Sequence, residues 1–227
     1  MTVALRSLFF ALAVVCAAPA RADDVNSAEH DRIADEMSKL AQRQIWPGVE
    51  RKYQELLKLG TALNLQDHIH GAMAAREAGD VLAAYDRLKE AVKIKATREV
   101  VDWLWDIDNN YGLVELVSVP ARSAALDAGE LPFDPNHRRA VEAAIEVARK
   151  DGVFIGMLPR GEYTFAGQKF SVTPGLAVRI EVSPRMRRQG IIDPVIRYTE
   201  SPGAIRVGGA PSSPSPAGPP PSPEESP

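Results

Sequence analysis

Gly71-Ala72-Met73-Ala74-Ala75-Arg76-Glu77-Ala78-Gly79-Asp80, continuing to Ala84, Leu88 and Ala91, is the stretch that decides the fold of the first half of this chain. Small residues recur at one face on either side of Gly79-Asp80, which breaks the helical period. Two helices that cross closely need small residues at the crossing, because a large side chain holds the backbones apart. The reading is a helix, a tight turn and a second, antiparallel helix.

Working outward, residues 27–110 read as helix throughout. Ile33, Met37, Leu40 and Ala41 form one apolar stripe, and Val49, Tyr53, Leu56 and Leu57 form the next. Leu65, Ile69, Ala72 and Met73 make a third. Val81, Ala84, Tyr85, Leu88 and Val92 make a fourth, and Val100, Trp103, Leu104 and Ile107 a fifth. Each follows the spacing of a helix with one buried face. Boundary residues agree: Pro47 suits a first turn, Gly60 a C-terminal cap, and Asn64 the start of the following helix. Short amphipathic helices joined by tight turns imply antiparallel hairpins stacked in a row.

The Gly71–Ala91 segment resembles a tetratricopeptide repeat, with Gly71, Ala72, Ala75, Ala84 and Ala91 at the small positions and Leu88 at the large one. A looser match lies about 35 residues upstream, through Met37, Leu40, Val49, Tyr53 and Leu56. There the turn Gln44-Ile45-Trp46-Pro47-Gly48 departs from the family pattern. The resemblance implies stacked hairpins, a closing helix around Trp103 and Trp105, and a concave groove that receives a peptide or helix.

At Gly112 the period changes from helical to alternating. Leu113 to Val119 reads as a strand ending at Pro120, and Ser123 to Ala128 as another. Asp134 caps a helix that has Pro135 in its first turn. Strands resume at Val153–Leu158, Glu162–Phe165, Lys169–Thr173 and Ala177–Val182, with a hairpin turn at Ala166-Gly167-Gln168. Leu158-Pro159-Arg160-Gly161-Glu162-Tyr163-Thr164-Phe165, with Phe170-Ser171-Val172-Thr173-Pro174-Gly175, resembles PEGA-type surface domains of exported bacterial proteins. The helix after Asp134 departs from that pattern as an insertion.

The two ends carry their own signals. Basic Arg6 precedes the apolar run Ser7 to Ala18, and Ala20-Arg21-Ala22 is a small-x-small cleavage site. The run is too short to span a bilayer, which takes ~20 residues. Cleavage after Ala22, export, and a mature protein without a transmembrane segment are expected. Cys16, the chain's one cysteine, lies inside that signal, behind Val14 and Val15, which do not fit a lipidation motif. The mature chain would then hold neither disulfides nor thiolate metal sites. From Ser201 the chain is rich in Pro, Ser and Gly, reaching Pro219-Pro220-Pro221, so a disordered tail is expected.

Candidate chemistry is sparse. The formal charge of −3 and the pI near 5.9 give no basic stripe for nucleic acid. Arg185, Arg187 and Arg188 are the one basic cluster. His68 and His70, two apart, point away from each other on a helix and cannot share an ion. Asp106, Asp108 and Asn110 have the alternation of a calcium loop, but Tyr111 and Val117 stand where that loop needs Gly and Glu. Neither a nucleophile elbow nor a phosphate loop is present. Trp103 fits the apolar stripe, so Trp105 faces elsewhere, as a binding anchor or as packing between the two halves.

The sequence thus leads to an α+β chain: a signal over 1–22, helical hairpins over 23–110, a small antiparallel β-sandwich over 111–183 with an inserted helix at 135–150, and an extended segment and tail over 184–227. Neither a cofactor nor a metal is implied. The expected role is a periplasmic, non-enzymatic module that binds or scaffolds a protein partner, with Trp105, Arg76 and Tyr85 as its binding residues. The alternatives are an envelope-attachment protein holding cell-wall polymer through its β domain and tail, and a hydrolase with a spatially assembled acid pair.

Overall fold

The computed structural model describes residues 20–120, 124–182 and 197–200. The signal expected over 1–22 lies outside these apart from its last turn, as do the arginine cluster at 185–188 and the tail from 201.

Five helices come first: α1 (Ala20–Gln42), α2 (Trp46–Leu59), α3 (Leu65–Glu77), α4 (Val81–Ile94) and α5 (Arg98–Asn110). Their ends follow from local chemistry. Pro47 occupies the first turn of α2, and Gly60 closes that helix at φ 73, a left-handed conformation that suits glycine. Asn64 caps α3 by a reciprocal pair of hydrogen bonds with Asp67. Asp80 and Thr97 cap α4 and α5.

Two apolar clusters hold the helices. Ile33, Met37, Val49, Tyr53, Leu56 and Ala74 join α1, α2 and α3. Val81, Tyr85, Leu88, Val100, Leu104 and Ile107 continue the core through α4 and α5. The small residues do what their positions require. A Cβ on Gly71 would lie 2.5 Å from the Tyr53 ring, so only glycine admits that crossing of α2 and α3.

The second half contains β1 (Tyr111–Ser118), β2 (Leu126–Asp127), α6 (Pro135–Asp151), β3 (Val153–Pro159), β4 (Gly161–Phe165), β5 (Gln168–Val172), β6 (Leu176–Val182) and β7 (Arg197–Glu200). One sheet has the order β3-β1-β6-β7 and the other β2-β4-β5. Val114, Leu116, Leu158, Val178 and Ile180 of the first meet Tyr163, Phe165, Phe170 and Val172 of the second, with Val141, Ala144 and Ala148 of α6 in the same core. The β4–β5 hairpin turns through Ala166 at φ 49 and Gly167 at φ 84, as a two-residue turn demands.

The larger sheet differs in one respect from the antiparallel expectation. β1 pairs antiparallel with β3 but parallel with β6. Alternation of apolar residues tells which face is buried and is blind to strand direction. A parallel neighbour needs a long connection, which the chain between β1 and β6 supplies. Of the strand expected from Ser123 to Ala128, Ser123 lies outside the described residues, and within 124–128 the strand is Leu126–Asp127. Asp134 caps α6 through the amides of Asn136 and His137.

The two halves share their core. Ala140 of α6, Met157 of β3 and Leu113 of β1 pack into the cluster of α4 and α5. Arg139 pairs with Glu77 of α3. The Arg139 carbonyl approaches so near that a Cβ on Gly79 would lie 2.5 Å from it. The inserted helix therefore covers the sheet and docks the hairpins at once. No helix among the described residues is long and apolar enough to cross a membrane.

Candidate functional site

Each interior helix of the first half packs on the helix before it and the helix after it. α5 packs on α4, meets Arg76 of α3, and passes straight into β1, so it ends the helical series among the described residues. Val100, Leu104 and Ile107 point inward. With side chains turning about 100° per residue, Val101 and Trp105 share a flank roughly a quarter to a third of a turn away from that buried stripe. Trp105 is 57% exposed and Val101 45%. Ile94, the last residue of α4, is 50% exposed across the short turn. Val101 and Trp105 make an exposed apolar pair along this flank of α5.

The α4–α5 seam beneath is rigidly held. Tyr85 is 7% exposed and belongs to the core; its hydroxyl is paired with the Asp108 carboxylate, which burial pushes above its ordinary pKa. Lys89 sits 5.3 Å over the Tyr85 ring. On the other flank of α5, Arg76 lies 3.5 Å from Asp106 and 5.7 Å over the Trp103 ring. These contacts set the rotation of α5 and so the outward direction of Trp105.

The three residues expected to bind are thus separated. Trp105 is on the surface, Tyr85 is under it, and Arg76 is tied down on the opposite flank. Tyr85 is almost wholly buried, so little of it reaches the surface. Met157, Leu113 and Ala140 pack at the junction of the two halves. The inner side of the hairpins is partly occupied: α6 lies against the end of α3, where Glu77 meets Arg139, and His137 stands edge-on to Tyr111 with ring centroids 5.1 Å apart.

Other candidates are accounted for locally. His68 is buried with Nδ1 3.2 Å from the Tyr53 hydroxyl, while His70 contacts Gln66 on the surface side. Asp106, Asp108 and Asn110 are helical, and Asn110 donates back to Asp106. No group of three or more His, Cys, Asp or Glu suited to a metal occurs among the described residues.

Two polar pairs, one buried and one half-buried, had not been foreseen. His30 Nε2 lies 3.1 Å from Oδ2 of Asp67, which is 2% exposed. Arg87 donates to both carboxylate oxygens of Glu50 and to the Gly71 carbonyl, and stacks 4.3 Å from the Tyr53 ring centroid. Both pairs are 37 residues apart, close to the repeat spacing in the sequence. That offset was the signal available for finding them.

No protein-family model, curated protein or solved structure matches this chain. What the coordinates define is an α+β protein with a helical array open at one end.

Proposed function

We propose that this chain is an exported, non-enzymatic module that binds or scaffolds a protein partner in the periplasm, built from tetratricopeptide-like hairpins and a PEGA-like β domain. The observation that carries the reading is the exposed pair of Val101 and Trp105 on the outer flank of α5, which ends the helical series among the described residues. In a stacked array that flank is where the next helix would lie, so an amphipathic helix from another protein completes the series there. Aromatic anchors dominate such contacts, and i, i+4 spacing matches a helix-in-groove mode. The inner face of α3 offers a second surface for the same role, shortened by α6.

The acid-pair hydrolase reading finds little to support it among the described residues. Glu50, Glu77 and Asp106 each face an arginine instead of a second carboxylate.

The test compares Trp105→Glu, Met73→Glu on the inner face, and the unaltered chain in partner capture from the envelope fraction. One protein retained by the unaltered chain and by Met73→Glu, and lost with Trp105→Glu, supports the seam. Retention by Trp105→Glu with loss in Met73→Glu moves the site to the groove. Partners that bind all three alike remove the helical surface from the account.

A further inference from the structure

Away from the α5 seam, the other end of the helical array carries an open cleft of about 320 Å3. It is lined by Asn26, Ser27 and His30 of α1, by Leu59 and Gly60 at the end of α2, and by Thr61 and Ala62 of the link to α3. Three features of this cleft are unusual for a helical hairpin. His30, 8% exposed, is held from behind by Asp67, whose Oδ2 also accepts from the Asn64 amide at 2.9 Å. Nδ1 of the same ring lies 3.4 Å from Oδ1 of Asp31, so both ring nitrogens are held by carboxylates. The Thr61 hydroxyl, beside it, is buried without a hydrogen-bond partner among the described residues. Ser27 sits one turn before His30 on α1, on the same side of that helix.

A buried hydroxyl without a partner costs about 1–3 kcal/mol, and such an atom in a native protein calls for an explanation. Thr61 lines the cleft, so its hydroxyl is the group a ligand there would satisfy. The chemistry of the lining then selects the ligand. The hydroxyl and amide groups of Ser27, Thr61 and Asn26 offer both donor and acceptor capacity. Hydroxyl groups on a ligand do the same. A phosphate or carboxylate would meet donors, but none of the described lining residues is Lys or Arg. An ammonium would meet acceptors, but none of the described lining residues is Asp or Glu. Leu59 and Ala62 add a short apolar floor, which suits the C–H face of a ring. The volume is at the small end of ligand sites, which run from roughly 300 to 1,000 Å3.

We propose that this cleft is a binding site for a neutral, hydroxyl-rich ring, the chemistry of a sugar unit, with Thr61, Ser27 and Asn26 making its hydrogen bonds and the His30 ring forming one wall. Asp67 acts through His30, as a positioning residue. The site is independent of the helix-docking flank and survives the failure of that reading.

The test uses the full chain and amide NMR spectra, with glucose, N-acetylglucosamine and the N-acetylglucosamine tetramer as probes, and inorganic phosphate and methylammonium as controls. Saturable shifts at Thr61 and His30 with a sugar, at a dissociation constant on the order of 1 mM, are expected. Binding of the tetramer well above that of either monosaccharide assigns the source to a glycan strand; equal binding assigns it to a free sugar. Thr61→Val should weaken binding roughly tenfold, the weight of one hydrogen bond, while leaving the melting temperature unchanged or higher. Larger shifts with phosphate or methylammonium than with any sugar overturn the proposal, as does the absence of saturable shifts with all three sugars. A Thr61→Val protein that melts lower yet binds sugar unchanged overturns it as well, because the hydroxyl would then have a structural partner and no ligand.

Discussion

Gly79→Ala separates two physical effects that glycine combines at the junction of the two halves. Gly79 has φ 81, and a Cβ there would stand 2.5 Å from the Arg139 carbonyl oxygen and 2.7 Å from the Ala143 Cβ. The first effect is conformational: an L-residue in the left-handed region costs about 1–2 kcal/mol. The second is steric, and the atoms in the way are backbone and a short side chain, which cannot swing aside. Forcing extra volume into such a contact costs typically about 1–3 kcal/mol. The sum is roughly 2–5 kcal/mol. At about 2–4 °C per kcal/mol for a body of this size, the melting temperature should fall by about 4–20 °C. Gly60→Ala is the internal control. It has φ 73, nearly the same conformation, with nothing within 4 Å of its Cβ, so only the conformational part applies. Circular dichroism melts at 222 nm and urea titrations of both variants measure the difference. Equal losses for the two would refute the reasoning, since α6 would then not be pressed against the α3–α4 turn.

Three further outcomes follow from the same geometry. Arg87→Lys should cost about 2 kcal/mol in urea unfolding, because a lysine cannot hold both Glu50 oxygens and the Gly71 carbonyl while stacked on Tyr53. Asp134→Ala removes the α6 cap that binds the Asn136 and His137 amides, and should lose about 1 kcal/mol by the same assay. Burial holds His68 and His70 below their ordinary pKa, so the unfolded chain takes up protons first as the pH drops through 6.5. Stability should therefore be full above pH 6.5 and decline below it toward their lowered folded values, and the His68→Gln, His70→Gln double variant should flatten that decline.

The helical half was legible because its determinants are local. Period, caps and small residues all lie within one or two turns of what they specify, and the ends of α2, α3 and α6 follow from Pro47, Gly60, Asn64 and Asp134. Strand positions were legible for the same reason, from alternation. What escaped was pairing at a distance. The parallel partnership of β1 with β6 leaves no mark in either strand. The contact of α6 with the α3–α4 turn shows in the sequence only as a glycine at position 79, which a turn alone would explain. His30 with Asp67, and Arg87 with Glu50, each join residues a full hairpin apart. Tyr85 was legible as part of an apolar stripe and is buried there, whereas its Asp108 partner sits on the next helix and leaves no local mark.

Whether the open flank of α5 receives another protein can be measured directly by placing a photo-reactive amino acid at Val101 and, as a control, at Glu55 on α2, in cells that export the chain. The account predicts one discrete crosslinked protein from position 101, absent from position 55 and abolished when Trp105→Glu is added. Crosslinking that is equal at both positions, or unaffected by Trp105→Glu, would contradict it.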